Sequence, residues 1–311
     1  MSINGILNVF KPSGKTSFDV VSFVRRLSGE RRVGHAGTLD PAATGVLPVC
    51  LGQGTRVIEF MSGAPKTYSA QIELGIVTDT YDATGKVIQE CNPSFVTKED
   101  VENALESFCG PIQQIPPMYS AIKHHGKRLY QLARLGIDIP RKPREVHIFR
   151  AQLLAWCPPV FTVEVECSSG TYIRSLAHDI GLTLGCGACL KTLIRLVCGP
   201  FDVSQAITLT GLEEAFHNGY WESFLYPIDE VLLNWDAIVV DEIHEEAIIH
   251  GRSIPLEELS CHSSDSQSDH CRVYSTKGDL LAVLCWREDE NLWHPDKVFS
   301  SAANLAEGLQ D

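Results

Sequence analysis

The chain has 311 residues, 44% of them hydrophobic, which is enough for a sizeable core and suggests roughly two domains at ~150 residues each. Met1 to Phe10 lacks a basic stretch leading into an apolar run, and no apolar stretch approaches the ~20 residues of a membrane helix. No signal peptide or membrane-spanning helix is expected, and a soluble, cytoplasmic protein is expected.

The formal net charge of −13 argues at first sight against a nucleic-acid partner. Its distribution changes that reading. Residues 236–311 hold 5 Lys/Arg against 16 Asp/Glu, residues 1–235 hold 21 against 23, and Ile115 to Arg150 holds 8 against 2. RNA affinity follows local basic surface facing phosphates, so the overall acidity does not exclude RNA. Eleven cysteines, many in apolar runs such as Val49-Cys50-Leu51, read as reduced, buried small hydrophobes. Cys186-Gly-Ala-Cys189 has redox or zinc spacing without a second pair nearby, and Cys261-His262 with His270-Cys271 flank a Ser/Asp-rich loop; neither is taken as a metal site.

In chain order, Thr16-Ser17-Phe-Asp opens a predicted helix running to about Leu27, with Phe18, Val21 and Val24 on one side and Gly29 as its stop. From Arg31 to Gly54 periodicity breaks and glycine is frequent, which predicts a turn-rich connector or a loop shaped around a ligand. Tyr68 to Ile76 alternates as a half-buried strand. Thr97-x-x-Asp100 resembles a capping box and opens a helix with Val101, Leu105 and Phe108 inward and Gly110 as stop. Phe161 to Cys167 alternates as a second strand, Gly170-Thr171 launches a helix carrying Ile173, Leu176, Ala177 and Ile180, and Leu190 to Cys198 reads as a further strand. Without regular βαβ alternation, the predicted class is α+β with a mixed, largely antiparallel sheet. Leu233 to Asp236 reads as a boundary, followed by a small β-rich module with strands at Ala237–Val240, Arg272–Ser275 and Leu280–Trp286.

Gly34-His-Ala-Gly-Thr-Leu-Asp-Pro-Ala-Ala-Thr-Gly45 carries the most chemistry. It sets one carboxylate, Asp40, between glycines and immediately before Pro41, which restricts its backbone. Such a loop can orient one acid inside a concave site. It can equally be a connector in which Asp40 caps a turn, and the residues alone leave both readings open.

The blocks Leu7-Asn-Val-Phe-Lys-Pro-Ser-Gly-Lys-Thr-Ser17, Gly34 to Gly45, Lys66-Thr-Tyr68, Pro116 to Lys123, Lys127 to Arg134, Ser169 to Ser175 and Leu193-Ile-Arg-Leu196 occur in succession over about residues 3–230. Together they resemble the bacterial TruB family of tRNA pseudouridine-55 synthases. The resemblance implies a pseudouridine synthase fold over residues 1–235, with a basic thumb insertion at about 115–150, and a small acidic PUA-like domain over 236–311. It implies an enzyme acting alone as a monomer on the T stem-loop of tRNA, with no cofactor or metal; tRNA refolding can accompany catalysis. Asp40 matches the catalytic aspartate, which attacks either C1′ of the ribose or C6 of the base before the uracil is rotated and rejoined through C5. Arg174 matches the arginine paired with that acid, and Tyr68 the tyrosine that stacks on the flipped base and helps remove the C5 proton. His35 matches the histidine that fills the gap left by the extruded nucleotide, and Leu193 a residue lining the uracil pocket. Lys11, in the first block, is placed with the RNA-contacting residues. Lys123, Lys127, Arg128 and Arg134, interleaved with Tyr130, are expected as a positive stripe on a thumb helix, suited to phosphate contacts. Two other readings are a non-catalytic RNA-binding protein on the same fold and a guide-RNA-dependent synthase working inside a protein particle.

Overall fold

A computed structural model describes residues 3–124, 126–255 and 269–299, with the backbone alone for Lys123 and His124. Cys261 and His262 lie outside the described residues. In chain order the elements that build the site are β1 (Gly5–Lys11), α1 (Ser17–Ser28), β2 (Val33–His35), β3 (Thr44–Leu51), α2 (Ile58–Ser62), β4 (Lys66–Leu74), β5 (Ile76–Thr78) and β6 (Val87–Glu90). There follow α3 (Lys98–Ser107), β7 (Gly110–Gln114), β8 (Lys123–His124), β9 (Lys127–Arg128), α4 (Leu129–Arg134), β10 (Arg144–Cys157), β11 (Val160–Cys167), α5 (Ile173–Thr183) and β12 (Ala188–Cys198).

Helix α1 starts where its capping chemistry sets it. The Thr16 hydroxyl accepts from the Asp19 amide at 3.1 Å and the Asp19 carboxylate accepts from the Thr16 amide at 2.8 Å. Gly29, at φ 69°, closes it. Val20, Val21 and Val24 are buried, whereas Phe18 is 65% exposed and does not belong to the inward face. Helix α3 has the same reciprocal cap between Thr97 and Asp100. It ends one residue before Phe108, and Gly110 opens β7 at φ 99° instead of stopping the helix. In β4 the alternation is as expected, with Tyr68, Ala70, Ile72 and Leu74 buried. The strand ends at Leu74 because Gly75 turns the chain at φ 84°, so Ile76 belongs to the β5–β6 hairpin.

Of residues 31–54, expected as a turn-rich connector or a loop shaped around a ligand, 36–43 form a loop lining a cavity, but most of the rest is not a connector. Val46 to Leu51 is buried throughout as β3, a strand covered on both faces. Such a strand has no polar face, so its sequence shows no alternation. It lies centrally in the main sheet, whose order is Ile207–Thr208, β1, β3, β12, β4, β11, β10, β7. Only the β1 pairing with Ile207–Thr208 and the β3–β12 pairing are parallel there, so the sheet is mixed and largely antiparallel as predicted. One core packs α3 and α5 against β4, β11 and β12; another packs α1 and the helix Leu209–Asn218 against β1 and β3.

Between the paired ends of β7 and β10, where Gln114 faces Arg144, the chain leaves the sheet. This excursion carries the β8–β9 hairpin and α4 over a small core of Met118, Leu129 and Leu132. Beyond Trp235 a second sheet runs in the order Asp236–Val240, His270–Ser275, Leu280–Arg287, Leu292–Val298, Ile254–Pro255. The helix Glu242–Ile249, capped by the Asp241 side chain, was not anticipated, nor was Leu292–Val298. Not every cysteine is buried either: Cys91, Cys109 and Cys157 are exposed.

Gly45 marks the tightest packing of the sheet. It sits at φ 104°, and a Cβ there would lie 2.2 Å from the Arg195 carbonyl on the adjacent strand. Gly45→Ala is expected to destabilise the fold by roughly 3 kcal/mol, through backbone strain and separation of β3 from β12. A urea midpoint unchanged from wild type would contradict this.

Candidate active site

The loop between β2 and β3 carries Asp40, and the segment between β1 and α1 fixes that loop. Gly14 donates its amide to the Pro41 carbonyl at 2.8 Å, and the Ser13 hydroxyl donates to Ala42 at 3.2 Å. Buried Ser17 accepts from the Leu39 amide at 2.9 Å and lies 3.2 Å from its carbonyl. The Lys11 ammonium, fully buried, donates to the carbonyls of Lys15, Pro12 and Pro41 at 2.6, 3.0 and 3.2 Å. Burial pushes its pKa down to about 8, against the raising effect of Asp40.

Arg174, at the start of α5, is only 5% exposed and brings four chain segments together. Its Nε meets Asp40 Oδ2 at 2.9 Å, and its Nη2 donates to Asp40 Oδ1 at 3.3 Å, a side-on, two-point contact. Nη2 also donates to the Tyr119 carbonyl at 2.8 Å, and Nη1 to the Thr80 carbonyl at 3.3 Å, with Asp82 Oδ2 at 3.6 Å from Nη1. The Asp40 side chain is 43% exposed and lines a cavity. Burial raises its pKa above the ordinary aspartate value, and the Arg174 charge opposes that rise.

The cavity has a volume of about 330 Å³ and is lined by Asp40, Tyr68, Arg174, Leu193, Lys66 and Arg195, among others. Tyr68 on β4 stands directly across from Arg195 on β12; burial pushes the phenol pKa up to about 12, against the lowering effect of the Arg195 charge. Arg195 is 1% exposed, with Nε donating to Val46 at 2.7 Å and Nη2 to Gly37 at 3.1 Å. Lys66 is likewise buried, its ammonium on the Ser62 carbonyl at 3.0 Å. One wall thus carries the Asp40 carboxylate paired with Arg174, and Lys66 and Arg195 line the cavity as two further buried cations. A cleft lined by fixed charges in this way favours a reaction that separates charge within its substrate.

The description "TruB family pseudouridylate synthase (N terminal domain)" matches residues 25–173, and "tRNA pseudouridylate synthase B C-terminal domain" matches residues 174–240. A tRNA pseudouridine synthase B from Dehalococcoides mccartyi is 45% identical, covering 96% of this chain and 97% of its own. One from Clostridium acetobutylicum is 42% identical over 90% and 95%. The chain belongs to the TruB family. Among solved structures, a Cbf5-Nop10-Gar1 complex contains a chain at TM-score 0.75 and 27% identity, covering 96% of this chain and 86% of that one. An H/ACA RNP bound to a substrate RNA containing 2′-deoxyuridine gives 0.74 and 25%, over 96% and 85%.

In this pseudouridine synthase Asp40, Tyr68, Arg174 and Leu193 converge on one cavity. His35 sits outside its lining, half-buried at the end of β2, with its buried Nδ1 unpartnered among the described residues and its pKa lowered by burial. The thumb stripe is not helical. Lys123, Lys127 and Arg128 lie on the β8–β9 hairpin, because Gly126 turns the chain at φ 82°. Only Tyr130 and Arg134 lie on the short α4, where Arg134 stacks over the Tyr130 ring at 5.5 Å. Lys11, expected among the RNA-contacting residues, is buried here with its donors on three carbonyls and so braces the Asp40 loop. Asp82 was missed, because Thr78 to Gly85 reads as a polar surface turn. Arg195 stood within a recognised block but drew no role, since nothing in a sequence tells a buried arginine from a solvated one.

Lys11→Met is expected to lower stability by roughly 2 kcal/mol by orphaning three carbonyls. The salt dependence of RNA binding should be unchanged, whereas Lys127→Ala should make the slope of log K against log salt shallower by about 0.7–0.9. A Lys11→Met protein of wild-type stability with a shallower slope would restore the phosphate role.

Proposed function

We propose that this enzyme converts uridine 55 in the T-loop of tRNA to pseudouridine, with Asp40 as the catalytic carboxylate. The observation that carries this is the two-point Arg174 contact, which aims Asp40 into a cavity within the ~300–1,000 Å³ range of small-molecule sites. The target nucleotide leaves the RNA stack to reach that cavity, since its reacting atoms are inaccessible in the folded loop. Asp40 attacks the nucleoside at C1′ or C6. The N1–C1′ bond breaks, the uracil turns within the closed pocket, and a C5–C1′ bond forms. C5 gives up its proton, N1 gains one, and Asp40 is released as carboxylate, so no cofactor is consumed. Tyr68 stacks on the base and helps take the C5 proton, and Leu193 lines the pocket beside it.

His35, outside the cavity, fills the gap left in the RNA loop. Lys123, Lys127, Arg128, Tyr130 and Arg134 contact the stem-loop from the thumb, giving affinity and salt dependence but not choice of uridine. Residues 1–235 act as the catalytic domain, and 236–311 as an acidic, PUA-like module that supports it. The enzyme is read as cytoplasmic and monomeric, and the similarity to tRNA pseudouridine synthase B over nearly full length supports action without a protein particle.

The test is a single-turnover assay on unmodified tRNA labelled with tritium at uridine C5, following release and binding together. Wild type should release tritium from one T-loop uridine, and Asp40→Asn should bind but release none. Binding without release by wild type would leave only an RNA-binding role.

The raised Asp40 pKa sets a second expectation. The carboxylate is the active form, so the rate should fall as pH drops, with a midpoint above the ordinary aspartate value. Arg174→Lys keeps a charge but loses the two-point contact. It should move that midpoint upward and slow the plateau rate roughly 10²-fold. A midpoint that stays in place would dissociate Arg174 from Asp40 ionisation.

A further inference from the structure

One aromatic contact bears on Arg174 without touching it. The turn Thr78 to Gly85 offers two groups to the guanidinium, the Thr80 carbonyl at 3.3 Å and the Asp82 carboxylate at 3.6 Å. Between them stands Tyr81, with φ 63°. A bulky residue enters that left-handed region only where its surroundings hold it there. Here the reversal at Tyr81 lets the carbonyl before it and the side chain after it converge on one target.

What fixes the turn within itself differs from what fixes it against α5. Inside the turn, Asp82 Oδ1 accepts from the Thr80 hydroxyl at 2.8 Å and from the Thr84 amide at 2.9 Å. Toward β12, Leu190 donates to the Tyr81 carbonyl at 3.0 Å and accepts from the Ala83 amide at 2.9 Å. None of these bonds reaches the helix that carries Arg174. The Tyr81 ring does, stacking on His178 with centroids 4.0 Å apart and planes 12° from parallel. His178 lies four residues after Arg174, one turn along the same side of α5. Among the described residues its buried Nδ1 has no hydrogen-bond partner, the ring face stacks on Tyr81, and burial lowers its pKa toward the neutral form.

We propose that the Tyr81–His178 stack positions the catalytic centre by locking the left-handed turn to α5, so that Thr80 and Asp82 stay on Arg174 and Arg174 stays side-on to Asp40. This rests on the reading of Asp40 and Arg174 given above. Tyr81 and His178 are positioning residues and need no contact with RNA.

The experiment is single-turnover tritium release and tRNA binding for Tyr81→Phe, Tyr81→Ala, His178→Ala, His178→Phe, the double alanine variant and Asp40→Asn, each checked for folding by thermal melting. Tyr81→Phe and His178→Phe keep a stacking ring and should react within about twofold of wild type. Tyr81→Ala and His178→Ala should each lose about tenfold in rate with tRNA affinity within about twofold, and the double variant should lose no more than the worse single. Tyr81→Asn, which tolerates the left-handed backbone but cannot stack, should behave like Tyr81→Ala and replaces it if that protein unfolds. Wild-type rates in both alanine variants would overturn the proposal. So would losses that multiply in the double variant, or a His178→Phe protein as slow as His178→Ala. Asp40→Asn separates the two levels. Tritium release by that variant would refute the reading of the centre itself, whereas a silent Asp40→Asn beside wild-type alanine variants would refute only the role of the stack.

Discussion

A guanidinium withdrawn from water must have its N–H groups and its charge satisfied inside the protein, and Arg174 imposes that demand on most of the site. It is met by Asp40 from the β2–β3 loop, Thr80 and Asp82 from the turn after β5, and Tyr119 from the base of the thumb. These segments are far apart in sequence, and the sheet order alone would not bring them to one point. Leaving any one of them out would strand part of a buried cation, so the arginine selects the arrangement in which all are present. The carboxylate gains from the same contact. In a cavity whose walls favour its neutral form, the neighbouring charge opposes protonation and holds the oxygens in a fixed plane.

Much of this was legible in the sequence where local chemistry decides local structure. Thr16 with Asp19, and Thr97 with Asp100, announce their helices through reciprocal capping, and the alternation of β4 and β11 announces half-buried strands. The failures have a common cause. β3 is buried on both faces, and Val46 to Leu51 therefore lacks the alternation that marks a strand. The thumb residues have helical spacing, yet the positive φ of Gly126 makes a hairpin of them first. In each case a tertiary or backbone constraint overrode a periodicity that was real but incomplete.

The positive residues show the same limit at the level of function. Lysine and arginine in an RNA-modifying enzyme invite assignment to phosphate, and Lys127, Arg128 and Arg134 are exposed as such contacts require. Lys11, Lys66 and Arg195 are buried, with donors on main-chain carbonyls. Nothing in composition or spacing separates the two groups. Burial separates them, and burial follows from register: Arg195 lies inside because β12 pairs with β3 on one side and β4 on the other.

Loops carry most of the site's polar groups, and loops have carbonyls that no sheet partner satisfies. Lys11 gathers the carbonyls of Pro12, Lys15 and Pro41 around one ammonium, and Arg195 ties Gly37 to Val46. Each cation therefore joins the strand that bears it to the loop that bears Asp40, and a loop of glycines and a proline becomes as fixed as the sheet. The cost is a positive field inside the core, and the acids Asp40 and Asp82 answer it. The Asp40 carboxylate and the structural cations are in this sense one assembly. The glycines at 37 and 45 belong to it as well, because a side chain at either position would meet Arg195 before it met anything else. A fold that keeps its acid in place with buried cations must leave room for them, and in this chain glycine provides that room.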